Sequence, residues 1–201
     1  AKPPKNNVLH LAAQSGHLDT LKYLIEEKKG NANVQNDYKE SPVFLAAQKQ
    51  HFNIVQYLVA KCNADLNSTD SNGNTLLHVA SSKGDLTVTK YLLDDRQIQF
   101  DVNAKNKYGE TCLHKAVTFN HTDLAEYLID QKKADVNLGD IMKKTPLYQA
   151  AFLGHVDLVK YLVEHGADTE IADSMGKRPI DSTICIPVIN YLKKISRKRN
   201  R

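Results

Sequence analysis

The run from Thr145 to Tyr161, read along the rest of the chain, recurs six times, and that recurrence limits the fold more than any other feature. The matches open at Asn7, Ser41, Thr75, Thr111, Thr145 and Arg178, at spacings of 34, 34, 36, 34 and 33 residues. A second marker keeps the same register: Lys22-Tyr23-Leu24, Gln56-Tyr57-Leu58, Lys90-Tyr91-Leu92, Glu126-Tyr127-Leu128, Lys160-Tyr161-Leu162 and Asn190-Tyr191-Leu192. A period of this length means stacked units, each too small to bury its apolar face alone. Within one unit, Thr145 is suited to cap a helix and Pro146 to occupy its first position. Leu147, Ala150 and Ala151 then share a face, Gly154 ends the run, and Leu158, Val159, Leu162 and Val163 form a second stripe. Each unit is therefore predicted to be a helix, a turn and a second helix.

These markers resemble the ankyrin repeat family. Its T-P-L-H-x-A signature stands nearly intact in Thr75-Leu76-Leu77-His78-Val79-Ala80 and in Thr111-Cys112-Leu113-His114-Lys115-Ala116. The resemblance covers residues 7–192 and implies an all-α solenoid of helix-turn-helix units with hairpin-like fingers. Residues 1–6 are then a disordered lead and residues 193–201 a basic tail. The first repeat keeps an apolar face without polar capping substitutions, so the array is expected to continue N-terminally. In the last repeat Pro187 and the short distance from Pro179 to Tyr191 predict an irregular first helix, and the unit reads as a C-terminal cap.

Between repeats, the segments 33–40, 67–74, 103–110 and 137–144 are rich in Asn, Asp, Gly and Lys, the residues of turns. Gly73, Gly109 and Gly176 stand where the family has a finger glycine, while Lys39 and Lys143 replace it, which predicts two strained or reshaped fingers. The segment 94–101 carries the longest insertion and is expected to be a loop.

The net charge is +4, but Lys193, Lys194, Arg197, Lys198, Arg199 and Arg201 carry +6, which leaves −2 for the remainder. Positive charge held at one terminus, without interleaved aromatics, argues against a nucleic-acid-binding face. The tail has three readings: a nuclear import signal, a contact with an anionic surface, or a solubilising end. No apolar run is long enough for a transmembrane segment. Cys62, Cys112 and Cys185 are odd in number and occupy unrelated repeat positions, which fits reduced thiols in the cytoplasm or nucleus and neither a disulfide framework nor a zinc site.

Of the eight histidines, the repeat accounts for seven. His10, His78 and His114 fill the fourth place of the signature, where other repeats have Phe44 and Tyr148, an exchange no metal site tolerates. His17, His51, His121 and His155 follow the turn between helices. The resemblance implies that these rings bond backbone groups and join neighbouring repeats; His165 stands outside the scheme. Acidic pairs such as Glu26-Glu27 and Asp94-Asp95 read as solvated surface charge. No phosphate-binding glycine loop, nucleophile elbow or Cys/His pair appears, so no catalytic residue, metal or cofactor is expected.

The finger asparagines Asn33, Asn67, Asn103 and Asn137 allow two readings. Asn67 (with Asp65 and Val59) and Asn137 (with Asp135 and Ile129) approximate the family's acceptor for asparaginyl hydroxylation; Asn103, with Asp95, does not. Otherwise each is a turn asparagine bonding its own backbone.

The family resemblance implies a monomeric, non-catalytic scaffold that binds a protein or peptide on a concave face made by fingers and first helices. Two alternatives stay open: a regulatory domain of a larger enzyme, channel or bacterial effector acting in host cytosol, and a basic-tailed nuclear adaptor. Lysine outnumbers arginine 22 to 5, a bias compatible with the effector reading. At variable exposed positions the second and third repeats are polar: Gln35, Asp37, Tyr38, Glu40, Gln48, Lys49, Thr69, Ser71, Asn72, Asn74, Ser82 and Lys83. The later repeats carry Lys107, Tyr108, Glu110, Phe119, Ile141, Met142, Lys144, Phe152, Leu153 and Met175, the expected partner-binding set. The alternative for Ile141 and Met142 is that they fold inward because Lys143 replaces glycine.

Overall fold

A computed structural model describes residues 5–94 and 100–199, the side chain of Arg199 excepted. Ala1 to Pro4 of the expected lead, most of the 94–101 insertion (Asp95 included) and residues 200–201 of the tail lie outside the described residues. The regular structure described is helical throughout and falls into two compact units, residues 1–99 and 100–201.

The first unit holds α1 (Val8–Gln14), α2 (Leu18–Glu26), α3 (Pro42–Gln48), α4 (Phe52–Cys62), α5 (Leu76–Ser82) and α6 (Leu86–Asp94). The first helices α1, α3 and α5 pack in sequence, each against its own second helix. The second unit holds α7 (Cys112–Thr118), α8 (Thr122–Asp130), α9 (Pro146–Leu153), α10 (Val156–Glu164), a 3₁₀ turn at Pro179–Ser182 and α11 (Ile186–Arg199). There α7 packs on α9 and α9 on the 3₁₀ turn, the irregular element that stands for a first helix in the last repeat.

The first helices start where the sequence places their caps. The Thr111 hydroxyl accepts the His114 amide, and Nδ1 of His114 accepts the Thr111 amide in return, a capping box with histidine at its third position. Asn7 with His10 and Thr75 with His78 repeat the device, while Thr145 caps α9 alone by accepting the Tyr148 amide at 3.2 Å. Ser41 is the exception, since its hydroxyl caps nothing and is buried without a hydrogen-bond partner. Leu77, Leu113 and Leu147 hold one template position and are all buried, as are Phe44 and the small Ala46, Ala47, Ala150 and Ala151 that let helices approach. Burying each leucine contributes about 1.5–3 kcal/mol.

Every finger is organised by one Asn or Asp whose side-chain oxygen accepts two amides, at the second and fourth residues beyond it. Asn36 takes Tyr38 and Glu40; Asp70 takes Asn72 and Asn74; Asn106 takes Tyr108 and Glu110; Asp140 takes Met142 and Lys144; Asp173 takes Met175 and Lys177. Lys39 and Lys143 do not reshape their fingers. Both adopt φ of 60°, close to the 76° of Gly73 and the 73° of Gly109, and make the same backbone bond to the finger's first residue. In the first unit Ser71 donates its amide to the Tyr38 carbonyl. In the second, Ile141 donates to Tyr108 at 3.0 Å and Ser174 to Met142 at 2.8 Å, so neighbouring tips are tied through their backbones.

Three of the finger asparagines correct the expectation that they bond their own backbone. The side chain of Asn33 accepts the Asp65 amide at 2.8 Å and donates to the Asn63 carbonyl at 3.1 Å; Asn137 does the same with Asp168 and Gly166, and Asn103 accepts from Asp135. What closes the local turn is the residue two places earlier: the side chains of Asn31, Asp65, Asp101 and Asp135 accept the amides of Asn33, Asn67, Asn103 and Asn137. The conserved spacing of about one repeat between partners is thus a row of inter-repeat bonds. Asn6 makes a different inter-repeat bond, its side-chain oxygen accepting from the Asn36 side chain at 2.9 Å.

Candidate functional site

The face made by finger tips and first-helix ends is where the two units differ. In the second unit three tips lie in line, tied by the Ile141 to Tyr108 and Ser174 to Met142 backbone bonds. Their side chains are Lys107-Tyr108, Ile141-Met142 and Ser174-Met175. Ile141 is 64% exposed and Met142 41%, so neither folds inward; the left-handed Lys143 supplies the turn and leaves them at the surface. Met142 lies 3.8 Å from the Ser174 hydroxyl, and Met175 is among the most exposed apolar residues of the unit.

The second row comes from the packed pair α7 and α9. Phe119 caps the C-terminus of α7 and is 56% exposed; Phe152 and Leu153 end α9, with Phe152 60% exposed. The α9 helix stops there because Gly154 turns left-handed, at φ 74°. In α7 the equivalent turn is made by Asn120 at φ 57°, a residue type that tolerates this region. His121, unremarkable in sequence beyond its place in the repeat, stacks on Phe119 with centroids 6.2 Å apart and helps fix the ring's direction.

The polar members of the expected set divide. Lys107 is exposed, and the Lys144 ammonium lies 5.6 Å from the Tyr148 ring centroid, a cation–π contact that holds it beside the apolar row. Glu110 is instead a structural link. It accepts from Asn106 at 2.9 Å and pairs with Lys115, and although partial burial raises its pKa, those two bonds hold it below the usual carboxylate range.

In the first unit the same tip positions carry Asp37-Tyr38 and Ser71-Asn72, and the helix ends carry Gln48-Lys49 and Ser82-Lys83. Its exposed aliphatic side chains on a first helix, Val8 and Leu11, lie at the start and in the middle of α1 and not at its C-terminal end.

The histidines of the signature are joints between repeats. In His114, Nδ1 accepts the Thr111 amide, so the neutral ring carries its proton on Nε2 and donates it to the Lys144 carbonyl at 3.0 Å. Burial lowers its pKa, and that outweighs the bond to Lys144. His10 reaches the Val34 and Glu40 carbonyls in the same manner, and among the histidines that follow the turn His51 reaches back to the Gln14 carbonyl. His155 departs from it, with Nε2 buried and unbonded. In place of a histidine, Tyr148 lies beside the Asp173 carboxylate, and burial with that neighbour pushes its phenol up to about 12. His165 stacks on Tyr161 at 3.9 Å and lies 3.4 Å from Asp130.

The recurrent tyrosine of the second helices has a role that its position alone did not reveal. The Tyr57 hydroxyl donates to Glu26 of the preceding repeat at 2.9 Å, so that carboxylate is not merely solvated. Tyr161 stands next to Asp130 at the corresponding place, but its hydroxyl is buried without a hydrogen-bond partner, and burial together with that charge raises its pKa.

The two hydroxylation candidates differ in access: Asn67 is exposed, whereas both amide atoms of Asn137 are engaged with the next repeat. Among the described residues, no three His, Cys, Asp or Glu side chains gather as a metal site, and no helix is long and apolar enough to cross a membrane.

Comparison with known proteins agrees with this architecture. A search of curated proteins gave no match. Among solved structures, the crystal structure of the ankyrin repeat domain of Bcl-3, described as a unique member of the IkappaB protein family, is similar at 25% identity with a TM-score of 0.80, over 94% of this chain and 86% of that one. A family model described as ankyrin repeats (3 copies) matches residues 9–106 and 96–173. The chain belongs to the ankyrin repeat family.

Proposed function

We propose that this chain is a non-catalytic scaffold that captures a protein or peptide partner on the finger-and-helix-end face of its second unit. The observation that carries the reading is the row of exposed Phe119, Ile141, Met142, Phe152, Leu153 and Met175 on tips and helix ends held rigid by backbone bonds. Contiguous apolar surface rimmed by lysines has the anatomy of an interface, with aromatic and methionine side chains as its central anchors. General use of the ankyrin fold for protein–protein interaction supports the same conclusion. Cys62, Cys112 and Cys185 are free thiols, which favours a reducing compartment, the cytoplasm or the nucleus.

The test is affinity capture with the full chain, followed by titration of the captured polypeptide. Placing aspartate at Phe119 and Phe152 removes two anchors of the kind that cost at least about 2 kcal/mol each at a hot spot, so capture should weaken by roughly 700-fold or more while the circular dichroism melt is unchanged. Lysine at Asn72 and Ser82 should leave capture within about two-fold. The opposite pattern would move the site to the first unit.

A further inference from the structure

The expected tail does not begin as a separate segment at Lys193. Through Arg199 it is the C-terminal half of α11, and it is helical because Val188, Leu192 and Ile195 continue an apolar stripe at three- and four-residue steps. Val188 and Leu192 are buried, Ile195 is half-buried, and α11 packs on α10 and on the 3₁₀ turn. The opposite face is Ile186, Asn190, Lys193, Lys194, Arg197 and Lys198, again at helical spacing. Asn190 and the four cations line one shallow depression.

Two properties of this face narrow what it meets. From Ile186 to Arg201 the sequence contains no acidic residue, the carboxylates of Asp181 and Glu170 are engaged by Arg178 at 3.0 and 3.1 Å, and Glu164 of α10 lies near Tyr191, which is not one of the residues of the basic face. At the helix's N-terminal end, Ile186 is 69% exposed and Ile184, two residues earlier, is 96% exposed. Aliphatic side chains thus stand exposed at and just before the start of the helix that carries a cluster of cations. A nucleic acid would be served by aromatic rings for stacking, which this face lacks. A peptide would need an apolar groove, whereas the isoleucines project.

We propose that the outer face of α11 binds an anionic phospholipid bilayer, the isoleucines entering the headgroup boundary and the lysines and arginine taking lipid phosphates. Apolar insertion and attraction to anionic lipid add to one another in this geometry. Because Phe119 and Phe152 belong to other elements, this surface is separable from the partner face.

The experiment is flotation of the full chain with phosphatidylcholine vesicles with and without phosphatidylserine, at low and high salt. The chain should float only with the anionic vesicles and be released by salt. Each cation contributes roughly a five-fold factor, so Lys193→Gln, Lys194→Gln, Arg197→Gln and Lys198→Gln together should lower the partition coefficient several hundred-fold. Ile184→Ser with Ile186→Ser should lower it by roughly ten-fold or more and leave the salt dependence in place. Circular dichroism melts confirm that each variant is folded, and Phe119→Asp with Phe152→Asp should float as wild type. Equal flotation with phosphatidylcholine alone, or an unaffected glutamine variant, would overturn the proposal. So would an isoleucine variant that floats normally while single-stranded RNA displaces the wild type, which would assign the cations to a nucleic acid.

Discussion

At the finger tips the first unit carries Asp37-Tyr38 and Ser71-Asn72 where the second carries Lys107-Tyr108, Ile141-Met142 and Ser174-Met175, yet the tips of both units are built alike. In each, one Asn or Asp side chain gathers two amides and a residue near φ 60–80° closes the turn. The tip side chains take no part in either device, so they can change from polar to apolar without cost to the fold. The same holds for the helix ends, where Lys49 and Lys83 in the first unit correspond to Phe119 and Leu153 in the second. A repeated backbone with a divergent surface is what allows one unit to carry the proposed binding face while the other keeps a polar one.

If the divergence is confined to the surface, equivalent core positions in the two units should respond equally. Leu77 and Leu113 are both buried at one template position. Truncating either to alanine should cost about 2–5 kcal/mol, read as a fall in the urea midpoint. A large loss for one and none for the other would show that the units differ in packing as well as in surface.

The interior was legible in the sequence because it depends on local periodicity. Thr75, Thr111 and Thr145 mark helix starts, and Leu77, Leu113 and Leu147 mark the buried face, through spacings that hold within a single repeat. The inter-repeat bonds were less legible, since Asn33, Asn103 and Tyr57 meet partners about 31 residues away or more that no local window contains. Their repetition at one place in each unit was the available signal. The apolar tips were readable as exposed because the family leaves those places variable, but the pairing of Glu110 with Lys115, five residues on, was not read from the sequence. The helical nature of the basic segment was legible in Val188, Leu192 and Ile195 but was masked by the charge that follows them.

The signature position answers to pH differently from repeat to repeat. Phe44 in the second repeat carries nothing that titrates, whereas His114 in the fourth is buried in its neutral form with a depressed pKa. Its stabilising contribution is therefore complete above its ordinary pKa of 6.5 and is lost as pH falls below that value, because the unfolded chain then binds a proton that the native ring resists. Glu110, whose pKa is also lowered, acts only below its ordinary 4.5. Between these values one proton limits the slope to about 1.4 kcal/mol per pH unit. His114→Phe should lower stability at neutral pH through the lost bond to Lys144 and flatten the dependence in this window. An unaltered slope would remove His114 as its source.

The smallest effect tests whether the tips are as independent of their turns as the comparison holds. Lys143 sits left-handed at φ 60°, a conformation that costs a side chain of L configuration about 1–2 kcal/mol. Glycine at this place would relieve that cost but lose about 0.5–1 kcal/mol through the greater freedom of the unfolded chain. Lys143→Gly should therefore stabilise the protein by about 0.5 kcal/mol, visible as a small rise in urea midpoint at constant slope, and leave partner capture by Ile141 and Met142 intact. Gly109→Ala should go the other way and further. At φ 73° its added Cβ would meet the Ile141 amide nitrogen at 2.6 Å, so it strains its own turn and displaces the neighbouring tip. If Lys143→Gly instead weakened capture, the lysine at the turn would be part of the binding face, and the separation between the device that shapes a finger and the residues that use it would fail.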